Sequence, residues 1–274
     1  MKNTRTAAAP FGVWMLLFTI VPLGIVLWFA LTDAQGHFTL QNLLVIGQYM
    51  DTFLWSILTG GAATLICLVL AYPLAYSIAR ATEWVQRTMV MIIMLPMWMN
   101  FLLRTYAWMS LLENRGFINQ LLGLIGLGPF EMINTNGAVI LGMVYNFLPF
   151  MVLPLYSVMA KLDPRVIEAA QDLGCNGWNV FRRIVLPLSV PGITAGITMV
   201  FVPAVSTFII TKMLGGGITG MLIGDVIESM FIGQAPNYNV GATLSLLLMA
   251  LMLLCMAFMG LADRDDDAIG GMMT

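Results

Sequence analysis

Long apolar runs separated by polar intervals dominate this chain. A helix needs about 20 mainly apolar residues to cross about 30 Å of hydrocarbon. Runs near 11–31, 53–79, 89–112, 137–160, 188–211 and 240–261 reach that length. Each is expected to be a helix, because backbone in lipid must satisfy its own hydrogen bonds. Shorter apolar stretches lie between them. Leu40 to Met50 reads as a helix along the membrane interface, and Ile118 to Leu127 as a piece packed on the bundle rim. Met221 to Phe231 reads as a segment that re-enters or caps an outer mouth. One polar interval, Lys161 to Pro187, runs for 27 residues inside a chain that is otherwise mostly apolar. A bilayer protein carries that much polar sequence between two spans when something in water touches it.

Within the interval, Asp163-Pro164 has the chemistry of a helix start, and Gly174 is placed to end that helix. Val166, Ala169, Ala170 and Leu173 recur at spacings of three and four, which predicts one apolar face. Glu168, Gln171 and Asp172 fall on other faces. The alanines keep the apolar face shallow, as suits docking in a protein groove. A second short helix is predicted near Gly177 to Ile184, carrying Arg182 and Arg183, before Leu186-Pro187 turns the chain into the fifth run. An amphipathic linker lying on the inner leaflet fits the same spacing, but would carry bulkier apolar residues and more lysine.

Composition agrees with the membrane class: 59% hydrophobic, 9% charged, mean hydropathy +0.89, against about 25% charged residues in a soluble domain. Positive charge sets the orientation. With the N-terminus cytoplasmic, inner segments hold Lys2, Arg5, Arg80, Arg87, Lys161, Arg165, Arg182, Arg183 and Arg264, and outer segments only Arg115 and Lys212. The expected organisation is a cytoplasmic segment 1–10, a six-span domain 11–262 with loop 161–187, and a cytoplasmic acidic tail 263–274. The first run lacks a small-x-small exit and is kept as a span rather than a secretory signal. A net charge of −2 argues neither for nucleic acid nor for an anionic surface as a partner. The three cysteines, Cys67, Cys175 and Cys255, have no disulfide or metal-ligand spacing.

Several chemistries are missing. No Gly-x-x-x-x-Gly-Lys-[Ser/Thr] loop occurs, so the chain has no such cradle for ATP. Gly215-x-Gly217-x-x-Gly220 matches a dinucleotide pattern on paper but follows a span rather than a strand, and reads as a flexible outer loop. The single histidine, His37, lies in a loop, so no Ser/His/Asp set forms in the membrane. No Asp or Glu lies well inside any run, which disfavours a secondary transporter coupled to a buried carboxylate. Energy is expected to arrive from elsewhere, through the long polar interval. Prolines 22, 73, 96, 149, 154 and 203 favour kinks, and Gly192-x-x-x-Gly196 favours close helix approach.

The interval reads Glu168-Ala169-Ala170-x3-Gly174-x9-Ile184-x-Leu186-Pro187. It resembles, position for position, the signature loop of binding-protein-dependent ABC importer permeases. Further segments are Pro96-x-Trp98-x-Asn100-x-x-Leu103-Arg104-x-Tyr106, Leu148-Pro149-Phe150-Met151-Val152-x-Pro154-Leu155-Tyr156, and Leu222-Ile223-Gly224. With these the chain is most similar to permeases of spermidine/putrescine importers; other small solutes such as sulfate, molybdate or iron complexes remain alternatives, as does a non-transporting membrane scaffold. The resemblance implies an all-α type I ABC importer permease fold in a bacterial inner membrane, with coupling helices between spans four and five. It implies that Glu168, Ala169, Ala170, Asp172, Gly174, Ile184, Leu186 and Pro187 belong to the coupling element. It also implies a partner ATP-binding subunit dimer that holds ATP and Mg, a second permease subunit, and an extracytoplasmic solute-binding protein. No cofactor is expected on this chain.

Candidates for a translocation path are Trp98, Asn100, Arg104, Tyr145 and Asn146. Asn100 and Arg104 are expected one turn apart on one face of span three. A charge in hydrocarbon costs about 2.5–3.5 kcal/mol on insertion scales and normally faces protein or water. Arg104 therefore lines a path or subunit interface, snorkels to the outer surface, or belongs to a buried pair. The aromatic faces, with Trp108, are candidate amine contacts or plain packing. Asp225 and Glu228 add to an acidic excess in the outer segments that would draw cations or dock a binding protein.

Overall fold

The computed structural model describes residues 10–33, 35–215 and 221–270, with only the backbone described for 261–270. The first span is α1 (Pro10–Ala30). Gln41–Leu44 and a tight turn Val45–Tyr49 then lead along the expected interfacial stretch into α2 (Met50–Ala79). The third run is divided into α3 (Glu83–Trp98) and α4 (Phe101–Leu112), followed by α5 (Phe117–Leu124) where a rim helix was expected. The fourth span is α6 (Asn136–Met159). The polar interval folds as α7 (Pro164–Asp172) and α8 (Gly177–Val180), and α8 continues through a wide turn Phe181–Val185 and Leu186–Leu188. The remainder is α9 (Val190–Ser206), α10 (Ile209–Leu214), α11 (Ile223–Ile232) and α12 (Tyr238–Gly270). Among the described residues, extended pairing is limited to one bridge, Thr32 with Phe38.

Among the described residues, four helices are long and apolar enough to cross a membrane, or up to six if each of two bent helix pairs is one span. The first of those pairs corrects the expectation of one continuous helix in the third run, and the second bends where the chain was expected to turn into the fifth. In the third run, Glu83–Trp98 and Phe101–Leu124 meet at 89°. Pro96 withholds a backbone N–H, and Met99 and Asn100 are extended, with ψ of 148° and 130°. Asn100 then starts a new helix, its side-chain oxygen accepting from the N–H groups of Leu102 (2.8 Å) and Leu103 (3.4 Å). Asn100 is thus a cap at a break, one turn before Arg104, whose N–H donates to the Asn100 carbonyl at 3.1 Å, and its side-chain oxygen is taken up by the cap. The fifth run bends by 63° near Ser189 and opens again at Thr207, shortly after Pro203. The tail read as a solvated end keeps helical backbone to Gly270. Segments 1–9, 216–220 and 271–274, with the Gly217 and Gly220 of the nucleotide-like pattern, lie outside the described residues.

The centre of the bundle is α2, α6 and α9. Ala63, Cys67, Ala71 and Ala75 repeat every four residues on α2, and all are fully buried. Their small size lets the backbone of α2 approach α6, whose Met143, Met151, Leu155 and Met159 fill the seam. Lipid tails are as apolar as leucine, so this close van der Waals packing, rather than transfer from water, holds spans together. Gly192 serves α9 likewise: a Cβ there would stand 3.1 Å from the Pro154 carbonyl oxygen and 3.2 Å from Leu155 Cα. On the far side, α1 packs on α12, and α11 lies against α12 and α9.

Candidate coupling element and translocation face

The coupling element is built by local chemistry. Asp163 caps α7, its carboxylate accepting from the Arg165 N–H at 3.0 Å, with Pro164 in the first turn. At the other end Gly174 has φ +86°, a left-handed conformation that glycine adopts without a Cβ clash. The N–H of Gly174 donates to Gln171 and that of Cys175 to Ala170, the two bonds of a Schellman cap. Asn176 caps α8 by accepting from the Asn179 N–H at 2.8 Å.

One expectation is corrected here. Of the four residues assigned to one docking face, Ala170 turns inward and is buried with Val180 and Val185, beside half-buried Ile167 and Ile184. α8 folds back on α7, and a side chain no larger than a methyl admits it. Val166, Ala169 and Leu173 stay exposed, as do Glu168, Asp172, Gly174, Leu186 and Pro187. Leu173 is 87% and Trp178 66% accessible, so the element presents unpartnered apolar surface away from the bundle.

Side chains that the sequence pattern did not single out tie this element to the spans. Tyr72 of α2 donates its hydroxyl to Ser189 Oγ at 2.8 Å, since Ser189 itself donates to the Leu186 carbonyl at 2.9 Å. The Tyr72 ring also meets Phe181 edge-on at 5.5 Å. Ser189 is fully buried at the 63° bend, so a polar pair sits where the coupling element becomes a span. Nearby, Tyr156 donates to Gln86 Oε1 at 3.0 Å, and the Gln86 amide holds the carbonyls of Ala79 and Ala81 at the end of α2. The available signal was hydroxyls inside apolar runs near the positively charged end.

The path candidates separate into two groups. Trp98 is 78% exposed at the end of α3, and Asn100 is consumed as a cap. Arg104, Tyr145 and Asn146 belong to the facing helices α4 and α6, which meet where Trp108 packs edge-on against Tyr145 at 5.3 Å. Arg104 does not snorkel: only 8% exposed, it lies over the Phe101 ring at 5.9 Å, and its Nε and Nη1 are buried without a hydrogen-bond partner. Asn146 donates to the Gly142 carbonyl at 2.8 Å while its Oδ1 has no partner. Buried polar groups without partners cost about 1–3 kcal/mol each, and three such atoms lie on these two helices.

The outer acidic pair also differs from expectation. Asp225 is 5% exposed, accepting from the Thr211 hydroxyl at 2.8 Å and the Leu222 N–H at 2.9 Å. Burial pushes its carboxyl above the ordinary value, against the lowering effect of Thr211. Glu228 is paired with Lys212. Neither is a free carboxylate drawing cations from water; together they clamp α11 to α10. Between them and α2, Gly224 rests on the carbonyls of the α9 break, and the Ile223 N–H donates to Ser56 Oγ at 2.8 Å. No group of three His, Cys, Asp or Glu side chains among the described residues is placed to hold a metal.

Comparison with known proteins agrees with this geometry. Residues 68–265, which contain the coupling element, match the family model described as binding-protein-dependent transport system inner membrane component. The spermidine/putrescine transport system permease protein PotB of Haemophilus influenzae is 36% identical over 263 residues, covering 92% of this chain and 91% of the relative. PotB of Escherichia coli K12 is 38% identical over 254 residues, covering 88% and 92%. The E. coli inner membrane ABC transporter permease protein YdcU is 32% identical over 222 residues, covering 76% and 70%. In the crystal structure of a bacterial alginate ABC transporter in complex with its pentasaccharide-bound periplasmic protein, one chain superposes with a TM-score of 0.81 at 17% identity, covering 96% and 94%. The fold is that of type I ABC importer permeases, and the chain belongs to the binding-protein-dependent transport system inner membrane components, multi-pass permeases of ABC importers.

Proposed function

We propose that this chain is the non-catalytic permease subunit of an ATP-driven importer of spermidine/putrescine-class polyamines. The observation that carries the solute class is 36–38% identity over about nine-tenths of both chains to relatives named for that transport. In this reading both termini are cytoplasmic, and an ATP-binding subunit dimer holding ATP and Mg docks on the exposed surface of α7 and α8. Val166, Leu173 and Trp178 supply the apolar contact, at about 1.5–3 kcal/mol per large side chain fully buried. Glu168, Ala169 and Asp172 are exposed on α7 as well. Motion of the ATPase reaches the spans through Ser189 and Tyr72, because those residues join the element to α2 and α9. A second, similar permease subunit completes the path against α4 and α6, where Arg104 braces rather than binds, since a cationic solute repels it. An extracytoplasmic binding protein delivers solute at the opposite end.

Mild detergent extraction of tagged chain from its native membrane tests this reading. A stoichiometric ATPase should copurify and should be lost from Glu168→Lys and from Gly174→Pro. Labelled putrescine or spermidine should be taken up in preference to sulfate, molybdate or iron complexes. Retention of both ATPase and uptake by the two variants overturns the coupling role, and preferred uptake of another solute overturns the polyamine assignment.

A further inference from the structure

At the end of the bundle opposite the coupling element, the end of α1, the residues that follow it and the start of α12 line a half-open cavity of about 550 Å³. The thirty residues of α2 separate the two regions, about 45 Å at 1.5 Å per residue. Trp28, Phe29 and Tyr238 line the cavity together with Asp33 and Asn239. Phe29 and Tyr238 lie 6.3 Å apart at 42°, so their faces are not spent on stacking with each other. We infer that this cavity binds a primary ammonium group, with Asp33 as its counter-charge and the rings as its walls.

Two independent features favour a cation there. The first is the aromatic lining, because ring faces attract ammonium groups within about 6 Å. The second is the carboxylate. Asp33 accepts from the N–H groups of Gln35 (2.9 Å) and His37 (2.8 Å) through one oxygen, leaving its second oxygen 3.6 Å from His37 Nδ1. That oxygen has acceptor capacity left for an incoming N–H. The Asn239 side chain donates to the carbonyls of Phe29 at 2.9 Å and Thr32 at 2.6 Å, fixing the start of α12 against the end of α1. The walls are therefore held in place before a ligand arrives. Among the described residues, no lysine or arginine lines the cavity. Aromatic residues alone are ordinary at a membrane interface, but a belt of anchors does not require an acid among the rings.

Two sources carry this chemistry: a free alkylammonium such as a polyamine, and the ethanolamine headgroup of a membrane lipid. The first rests on the importer reading above; the second does not. The test uses the full chain in nanodiscs and a photoreactive 1,4-diaminobutane, with labelled peptides mapped by mass spectrometry. In phosphatidylglycerol nanodiscs, label should concentrate on residues 28–36 and 236–239. It should fall roughly tenfold or more in Asp33→Asn, because a charge-assisted contact is lost. The amide of that variant keeps an acceptor for the two backbone N–H groups, so the turn itself is preserved. Trp28→Leu provides a second, uncharged change to the walls that should lower labelling several-fold. Suppression of labelling by added phosphatidylethanolamine identifies the lipid headgroup as the occupant; indifference to it identifies a free amine. Equal labelling by the corresponding photoreactive diol, or unchanged labelling in both variants, overturns the inference. Labelling needs no ATPase, so failure of the importer reading in the copurification test is distinguishable from failure here.

Discussion

Replacing Gly224 with alanine probes whether α11 is locked over the break in the fifth span. The added Cβ would lie 2.5 Å from the Ser206 carbonyl oxygen and 2.6 Å from that of Thr207, where ordinary contact begins near 3.4 Å. Relief requires a shift of nearly 1 Å, and the obstacles are backbone atoms that cannot rotate away. α11 is also tied at Ile223 to Ser56 and at Asp225 to Thr211, so the shift strains two hydrogen bonds. Overpacking costs about 1–3 kcal/mol, and losing two hydrogen bonds adds about 1 kcal/mol each. Alanine regains about 1 kcal/mol of helix propensity over glycine. The expected net loss is about 2–4 kcal/mol, or roughly 5–15 °C in thermal midpoint on the scaling for domains of comparable size. Recovery of monodisperse protein after stepwise heating in detergent measures it. Gly61→Ala is the control, since no atom lies within 4 Å of its added Cβ; it should be neutral or slightly stabilising. A Gly224→Ala midpoint within about 2 °C of the parent, or equal damage from Gly61→Ala, would refute the reasoning.

Three further outcomes are expected. At Gly192 an added methyl meets the backbone of α6, whereas at Gly196 it meets the Met151 sulfur at 2.6 Å, the movable part of a flexible side chain. Gly192→Ala should therefore cost about 1–3 kcal/mol and Gly196→Ala less than about 1 kcal/mol, despite the shorter distance at Gly196; the reverse order in the same heating assay would contradict the packing account. Tyr72→Phe removes the donor to Ser189 Oγ, about 1 kcal/mol, and should lower solute transported per ATP while the ATPase still copurifies; an unchanged ratio removes Tyr72 from the coupling route. Finally, the His37 N–H, followed in effect by the Gln35 N–H, holds the Asp33 carboxyl below its ordinary value of 3.8 against the opposing effect of desolvation. A depressed folded value means that the turn is stabilised above pH 3.8 and loses this support as pH falls through the folded value. Amide exchange at Gln35 and His37 should speed up on acidification relative to that in Asp33→Asn, and parallel profiles would contradict it.

The spans and the coupling helices were legible because they answer to one-dimensional constraints. Hydrocarbon thickness demands a run length, and a helix start or stop is chemistry within a few residues, as at Asp163-Pro164 and Gly174. The divided third and fifth runs were not legible from hydropathy, which stays high through a bend; Asn100 had to be seen capping a second helix. The period-four row Ala63, Cys67, Ala71 and Ala75 was present as a pattern, yet only its burial against α6 distinguishes a seam from a lipid-facing stripe.

Direction and partnership belonged to the tertiary structure. Ala170 and Ala169 are equivalent in sequence, and the return of α8 buries one and exposes the other. Asp225 reads as a loop carboxylate until Thr211 and the Leu222 N–H are brought around it. Arg104 reads as a path-lining, snorkelling or buried-pair charge until the packing of α4 buries its guanidinium. The sequence by itself determined which segments cross the bilayer and which meet water, because transfer of a segment depends on its own composition. Which side chains meet each other depends on how helices distant in sequence pack, and only the folded bundle decided that.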